Sequence, residues 1–112
     1  MIHNITDNNF KSEIKDGMQL LSFTAPWCGF CNRQKPILEE LSKNSLWIGE
    51  VNGDDNPELV TKYSVQAFPS FVLFKDGKAV NSFRGLHSKD EILNIIKRSW
   101  ALYYAQPLCI LE

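Results

Sequence analysis

The chain has 112 residues, the length of one domain built around a single hydrophobic core. Hydrophobic residues make up 44% and charged residues 22% of it, which excludes disorder of the whole chain. The formal net charge is −1 and the charges are scattered, so neither nucleic acids nor anionic membranes are expected partners. No apolar run reaches the roughly eighteen residues of a membrane span, and the amino terminus lacks an export-signal pattern. The default expectation is therefore a cytoplasmic protein.

The predicted order of elements is (β)αβαβαββα. The chain therefore opens with a helix, optionally preceded by a strand, and continues with a strand and a second helix. A short helix capped by Thr6 or Asp7 is expected to run as far as Asp16. The nearly continuous apolar run at 18–25 is typical of a strand that is covered on both faces. Apolar residues then recur at helical spacing over 28–43, which predicts the second helix.

The middle of the chain predicts a strand, a short helix and a hairpin. The apolar segment 46–51 is typical of a second buried strand. Asn56 and Pro57 form a typical helix start, because asparagine caps the first turn and proline fits its first position. Asp76 and Gly77 lie between two apolar runs, and glycine supplies the positive φ that a two-residue hairpin turn needs.

The last helix opens with a capping box formed by Ser88 and Glu91, and Pro107 is expected to end it. We therefore predict one domain over 1–106 and a short tail over 107–112. Strands that alternate with helices imply right-handed crossovers and a parallel core sheet, to which the hairpin adds an antiparallel edge. The expected architecture is an α/β protein with a mixed central sheet and helices on both faces.

Two of the three cysteines, Cys28 and Cys31, form a Cys-x-x-Cys motif between a predicted strand and a predicted helix. At a helix N-terminus, unpaired N–H groups and the helix dipole stabilise a thiolate, which is the nucleophile of thiol–disulfide exchange. Cys31 lies on the same side of the first turn and can close a disulfide with Cys28. Gly29 permits a tight turn that leaves the first sulfur approachable. The motif thus predicts a redox-active pair.

A zinc site and a purely structural cysteine pair are the alternatives for this motif. Structural zinc takes about four ligands, and Cys109, His3 and His87 are the other suitable side chains, without a second close pair. A structural pair is not typical of a reducing compartment. We therefore expect no metal, an incidental thiol at Cys109 and a solvated loop histidine at His87.

Five short segments occur in an order and at distances shared with one known family. They are APWCGFC at 25–31, Pro36 inside the helix, Phe68-Pro69-Ser70 before a strand, the Asp76-Gly77 turn, and Arg84-Gly85 at the end of the last strand. On these segments the chain, from about Phe10 to Trp100, resembles the thioredoxin family. The resemblance implies the thioredoxin fold, an α/β/α sandwich, with a cis peptide bond before Pro69.

The resemblance also implies a protein-disulfide reductase. Cys28 would attack a substrate disulfide, and Cys31, the more buried cysteine, would resolve the mixed disulfide. A partner such as an NADPH-dependent thioredoxin reductase would return the electrons, so no bound cofactor is expected, and a monomer suffices. We call the shallow apolar surface around Cys28 the substrate groove; its expected lining residues are Trp27, Gly29, Phe30, Phe68, Pro69 and Gly85.

The motif departs from the family pattern at Phe30, where thioredoxins usually carry proline. Proline stiffens a turn, and phenylalanine replaces that constraint with apolar surface. We therefore expect a reduction potential more oxidising than the roughly −270 mV of thioredoxin. The alternative interpretation is that Phe30 merely widens the docking surface.

A second departure concerns the proton that the resolving cysteine must lose. Ser22 stands where the family usually has a buried aspartate, and Glu50 stands where it usually has a lysine. Serine accepts no proton at neutral pH. Glu50 lies in a predicted covered strand, and dry surroundings favour the use of a carboxylate as a general base. Glu50 is therefore a candidate proton acceptor, and a hydrated, idle glutamate is the alternative.

Three functions remain open on the sequence alone. The first is a general protein-disulfide reductase. The second is a partner-specific relative with a more oxidising reduction potential, which acts as an oxidant, an isomerase or a dedicated redox partner. The third is a redox-sensitive binding module without turnover, against which the intact Cys28–Cys31 pair argues.

Overall fold

Strands and helices alternate along the chain in the computed structural model, which describes residues 2–44 and 46–111, with the backbone alone over 102–111. The strands are β1 (Ile2–Asn4), β2 (Met18–Thr24), β3 (Trp47–Asn52), β4 (Ser70–Lys75) and β5 (Lys78–Arg84). The helices are α1 (Phe10–Glu13), α2 (Gly29–Lys43), α3 (Pro57–Lys62) and α4 (Lys89–Leu111).

The strands form one mixed sheet in the order β1-β3-β2-β4-β5. β3 pairs in parallel with β1 and β2, whereas β4 is antiparallel to β2 and β5. The central strand β2 carries a nearly unbroken apolar sequence because both of its faces are covered. The mixed sheet and its antiparallel hairpin are confirmed, but the predicted parallel core is limited to β1, β3 and β2, because β4 already runs antiparallel to the central strand.

Alternate residues of the sheet build a separate core on each face. On one face Leu21, Phe23 and Val72 pack with residues of α1 and α3, including Phe10 and Leu59. On the other face the core consists of Leu20, Leu38, Leu41, Ile48, Phe71, Leu73 and Ile92, drawn from the sheet, α2 and α4. Each fully buried Leu, Ile or Phe contributes about 1.5–3 kcal/mol to folding. Helices on both faces confirm the α/β/α sandwich.

The hairpin and the capping box have the geometry that their sequences predict. Asp76 and Gly77 form the two-residue turn between β4 and β5, with φ values of 51° and 83°. At the start of α4, Ser88 N donates to Glu91 Oε1 at 2.9 Å, and Glu91 N donates to Ser88 Oγ at 3.2 Å. Both motifs are formed by residues close together in sequence, so the local sequence is enough to predict them.

Of the two predicted caps of the first helix, Asp7 is wrong, and so is the predicted length of the helix. Thr6, the other alternative, bonds the turn that leads into α1, where its Oγ1 accepts from Asn9 N at 3.2 Å. Asp7 caps α3 instead, because its carboxylate accepts hydrogen bonds from the backbone N–H groups of Glu58 (3.3 Å) and Leu59 (3.0 Å). Asn56, the expected cap of α3, accepts from Asp7 N at 2.9 Å. α1 ends at Glu13 because the next residue is extended, with ψ 108°. Contacts between segments distant in sequence thus replace the local caps expected at Asp7 and Asn56.

The last helix continues to Leu111 and does not end at Pro107 as predicted. Proline removes one backbone donor without obliging a helix to stop, and Pro36 is likewise accommodated inside α2. The domain boundary at 106 stays a prediction, and the side chain of Cys109 lies outside the described residues. No helix among the described residues is long and apolar enough to span a membrane.

Candidate active site

Cys28 lies at the carboxyl end of the central strand and caps α2. Its backbone is extended, with φ −90° and ψ 113°, and its Sγ accepts a hydrogen bond from Cys31 N at 3.2 Å. The two cysteines form a disulfide with their Cα atoms 5.3 Å apart. A sulfur at this position faces the unpaired N–H groups and the positive end of the helix dipole, which stabilise a thiolate after reduction.

The expectation that Cys31 is the more buried cysteine is wrong for the disulfide form. The exposed fractions of Cys28 and Cys31 are 5% and 6%, because both pack with Ala25 and Phe68 in a small apolar cluster. What differs is the surroundings of the two sulfurs. Cys28 Sγ lies 3.5 Å from the carbonyl oxygen of Phe68, whereas Cys31 faces a cavity on the other side of the motif.

Two large apolar side chains beside the cysteines face solvent, as expected for a groove. The exposed fraction is 68% for Trp27 and 58% for Phe30. The Trp27 ring meets Phe68 edge-on at 5.6 Å, and its Nε1 donates to Asp54 Oδ2 at 3.1 Å. The Phe68 ring in turn occupies the space where Gly53 would carry a Cβ. Asp54 and Gly53 therefore position groove residues, and no local pattern singles them out.

The groove continues along Pro69 and Gly85. The Phe68–Pro69 peptide bond is cis, as the family resemblance implied. Gly85 N donates to Pro69 O at 2.8 Å, which connects the end of β5 to the proline loop. Gly85 has a φ of +92° and open space around its missing Cβ, so this wall presents bare backbone. Consecutive contacts thus connect Cys28 to Phe68 and Gly85 to Pro69, and Trp27 packs on Phe68.

Behind Cys31 is a polar cavity of about 180 Å³ that Lys35 and Glu50 also line. Ser22 is buried and pairs with Glu50 in the β2–β3 register, on the sheet face that α2 covers. Glu50 is half-buried, so its surroundings lie between the dry and the hydrated alternatives. The edge of the sheet beside β1 leaves this side chain partly open to water. The structure nevertheless brings a carboxylate and Cys31 to one cavity.

Two residues near the site were not predicted correctly. Gln34 was missed, and His87 was expected to be solvated. Gln34 is almost fully buried on the inner face of α2, where Cys31 and Leu38 also point. A polar residue on an otherwise apolar stripe was a signal for it. His87, expected to be solvated, is half-buried, and its ring packs edge-on against Phe83 at 5.1 Å.

Comparison with known proteins agrees with this geometry. The thioredoxin family model matches residues 1–98. A thioredoxin of Chlamydia caviae is 40% identical over 100 residues, which cover 88% of this chain and 98% of the relative. A thioredoxin of Staphylococcus aureus is 34% identical over 97 residues, covering 84% and 93%.

The sequence motif, the sandwich and the cysteine pair at the start of α2 agree with these relatives. Within the residues that the structure describes, no group of three or more His, Cys, Asp or Glu side chains is placed to hold a metal ion. A dithiol that reduces a substrate disulfide is itself oxidised to a disulfide, which is the form of Cys28 and Cys31 in this structure. The chain belongs to the thioredoxin family and is a thiol–disulfide oxidoreductase that reduces protein disulfides.

Proposed function

We propose that Cys28 is the nucleophile and Cys31 the resolving thiol of this reductase. The Cys28 thiolate attacks one sulfur of a substrate disulfide, which forms a mixed disulfide and releases the other sulfur as a thiolate. Cys31 then loses its proton and attacks Cys28 Sγ, which releases the second substrate thiolate and leaves the Cys28–Cys31 disulfide. The observation that carries this assignment is the Cys31 N–H directed at Cys28 Sγ at 3.2 Å, because it stabilises negative charge on that sulfur.

The substrate segment binds in the groove in an extended conformation. Trp27 and Phe30 provide exposed apolar surface beside the sulfur, and Gly85 provides a wall without a side chain. The loop at Pro69 can pair its backbone with the substrate in the manner of strand addition. This geometry favours disulfides in flexible or locally unfolded segments of proteins.

Electrons return to the Cys28–Cys31 disulfide from a partner, for which an NADPH-dependent thioredoxin reductase is the proposal. No bound cofactor is part of this cycle, because both half-reactions are thiol–disulfide exchanges. A reductase of this kind works where thiols are kept reduced, so we propose a cytoplasmic location. The protein acts as a monomer in this proposal, since one groove and one cysteine pair suffice.

The test of this assignment is to trap the mixed disulfide. Cys31→Ser should accumulate a covalent adduct with a protein disulfide such as insulin, because the second exchange step is removed. Non-reducing electrophoresis and mass spectrometry would show the adduct and locate it at Cys28. Cys28→Ser is the matched control and should form no adduct, while an adduct at Cys31 in the control would reverse the two roles.

A second candidate function is favoured by the exposure of Phe30, which adds an apolar surface where the family usually has proline. In this version the protein serves a restricted set of partners at a more oxidising potential. Equilibration with glutathione buffers measures the potential, and a value above about −270 mV is expected. Phe30→Pro should then move it towards that value. A parent potential at or below it would reject the oxidising poise.

Glu50 is proposed to accept the proton that Cys31 loses. The support is the cavity that the two residues share, which gives the carboxylate or one intervening water access to the thiol. Glu50→Gln should slow the resolving step and alter its pH dependence. Glu39→Gln is the matched control, since Glu39 lines the neighbouring cavity with Glu50 but not the cavity of Cys31. Resolving rates equal to those of the parent at every pH would remove Glu50 from the mechanism.

A further inference from the structure

Gln34 is a buried polar residue that the mechanism above does not use. Its exposed fraction is 1%, and it lies one turn after Cys31 on the inner face of α2. Its Nε2 donates to the carbonyl oxygen of His87 at 2.9 Å, and its Oε1 accepts from His87 N at 2.8 Å. The backbone N–H can only donate and the carbonyl can only accept, so these partners fix the orientation of the amide.

The hydrogen bonds continue from His87 into the substrate groove. His87 Nδ1 lies 2.8 Å from the carbonyl oxygen of Gly85, which can only accept, so Nδ1 is the protonated ring nitrogen. Gly85 N in turn donates to Pro69 O at 2.8 Å. A continuous series of hydrogen bonds therefore joins Gln34, on the helix that begins at the cysteines, to both backbone walls of the groove.

The ring of His87 adds packing to these hydrogen bonds. It meets Phe83 edge-on at 5.1 Å and Phe71 at 6.4 Å, so the loop 85–87 contacts the core on one side. Gly85 itself has no side chain to pack. Its φ is +92°, and glycine adopts positive and negative φ with similar ease, so its own backbone preference does not fix this conformation. The position of this wall relative to the cysteines therefore depends on the contact between His87 and Gln34.

We propose that Gln34 is a positioning residue that sets the Gly85 wall of the groove and thereby the preference for extended protein disulfides over small ones. An extended substrate must fit between the exposed aromatic rings and the Gly85 backbone, so its binding requires a wall that is already in place. A small disulfide has no backbone to pair and needs access to Cys28 alone. The proposal rests on the proposed function, which assigns the groove to substrate.

The chain offers a matched control for this residue. Gln19 is also buried, with an exposed fraction of 5%, and its amide also makes two hydrogen bonds to a loop backbone. Its Nε2 donates to Glu13 O at 2.9 Å and its Oε1 accepts from Lys15 N at 2.8 Å. This loop lies at the opposite end of β2 from the cysteines. Gln34→Met and Gln19→Met therefore remove the same kind of contact at the two ends of the molecule.

The experiment measures the single-turnover oxidation of the reduced protein by insulin and by hydroxyethyl disulfide. For Gln34→Met we expect a rate constant about tenfold lower with insulin and within about twofold of the parent with the small disulfide, as lost positioning hydrogen bonds predict. For Gln19→Met the ratio of the two rate constants should equal that of the parent. An unchanged ratio in Gln34→Met, or an equal change in both variants, would overturn the proposal.

A second measurement needs no substitution at Gln34. In the insulin adduct of Cys31→Ser, the backbone amide of His87 should remain protected from hydrogen exchange, because Gln34 Oε1 still accepts from it. Exchange at the rate of an open loop would overturn the proposal. A failure of the proposed function is distinguishable, because the parent protein would then not reduce insulin and no adduct would form.

Discussion

The two ends of the sheet hold their loops by the same device but differ in what they leave exposed. At one end Gln34 hydrogen-bonds to both backbone groups of His87, and at the other Gln19 bonds to the backbones of Glu13 and Lys15. Each buried amide satisfies its own polar groups by hydrogen bonds to the backbone of a loop. Loop fixation therefore occurs at both ends of this sheet and does not by itself mark the functional end.

The difference lies in the tryptophans and in the backbone beside them. At the remote end, Trp100 covers the Lys75 ammonium at 4.4 Å, while Gly17 and Asp76 exchange hydrogen bonds of 2.8 and 3.0 Å. At the functional end, Trp27 is more exposed, with a fraction of 68% against 40% for Trp100. An exposed apolar surface next to a reactive pair is therefore the feature that distinguishes a binding end from a structural one.

Two phenylalanines of β4 provide the largest test of this comparison. Phe71 stacks on Phe83 at 4.8 Å and contacts His87 at the functional end, whereas Phe74 packs with Phe10 and Tyr63 on the other face. Phe71→Ala and Phe74→Ala should each lower the free energy of unfolding by about 3–5 kcal/mol in urea titrations. At a temperature where both are folded, only Phe71→Ala should slow insulin reduction.

Equal insulin reduction by the two phenylalanine variants would mean that the Phe83–His87 ring contacts have no influence on the groove. A matched test with hydroxyethyl disulfide separates this outcome from damage to the cysteines, because that substrate does not use the groove. Both variants should reduce it at the rate of the parent.

Two glycines provide a smaller and sharper comparison. At Gly53 an added Cβ meets the Phe68 ring, and overpacking of this kind costs about 1–3 kcal/mol. At Gly17 the space is open but φ is +88°, so alanine is strained by about 1–2 kcal/mol. Gly53→Ala should therefore lower both thermal stability and insulin reduction, whereas Gly17→Ala should lower stability alone. Loss of activity in Gly17→Ala at matched stability would contradict the separation of the two ends.

The smallest expected effect concerns acid stability at the remote end. The Gly17 N–H, and to a lesser extent Lys75, hold the pKa of Asp76 below its ordinary value of 3.8. The folded state thus favours the ionised carboxylate, and the resulting stabilisation is complete above that value and is lost as the pH falls through the lower, folded pKa. Asp76→Asn, which tolerates the positive φ, should show a shallower loss of stability on acidification than the parent.

Glu91 extends the acid-stability prediction to the functional end. Hydrogen bonds from Ser88 lower the pKa of Glu91, so its contribution to stability has the same sign and direction as that of Asp76. Glu91→Gln keeps the capping box and should likewise lose less stability than the parent as the pH falls. If the free energy of unfolding falls with decreasing pH as steeply in both variants as in the parent, neither carboxylate is linked to folding.

Features that depend on a few neighbouring residues were predictable. The Cys28–Cys31 pair at a helix start, the Asp76-Gly77 turn and the capping box before α4 each arise within four residues. Their geometry follows mainly from backbone sterics and local hydrogen bonds. The apolar runs likewise predicted a sheet that is covered on both faces.

Features that depend on distant pairs were not predictable. Asp7 caps a helix that begins about fifty positions later, and Gln34 bonds to His87 across a separation of 53 residues. The degree of burial of Glu50 was left open by the sequence, and the structure makes it intermediate, on the strand next to the β1 edge of the sheet. No local window contains both members of these pairs, so Asp7 was assigned to the wrong helix and the contact of Gln34 was missed.

The sequence by itself determined the redox pair, the order of the elements and the family, because these are properties of short motifs and of their spacing. Tertiary structure alone decided what surrounds the two sulfurs: the Phe68 carbonyl near Cys28, and the cavity shared by Cys31 and Glu50. The physical reason is strand register, since a shift of one residue would move every side chain of a strand to the opposite face of the sheet.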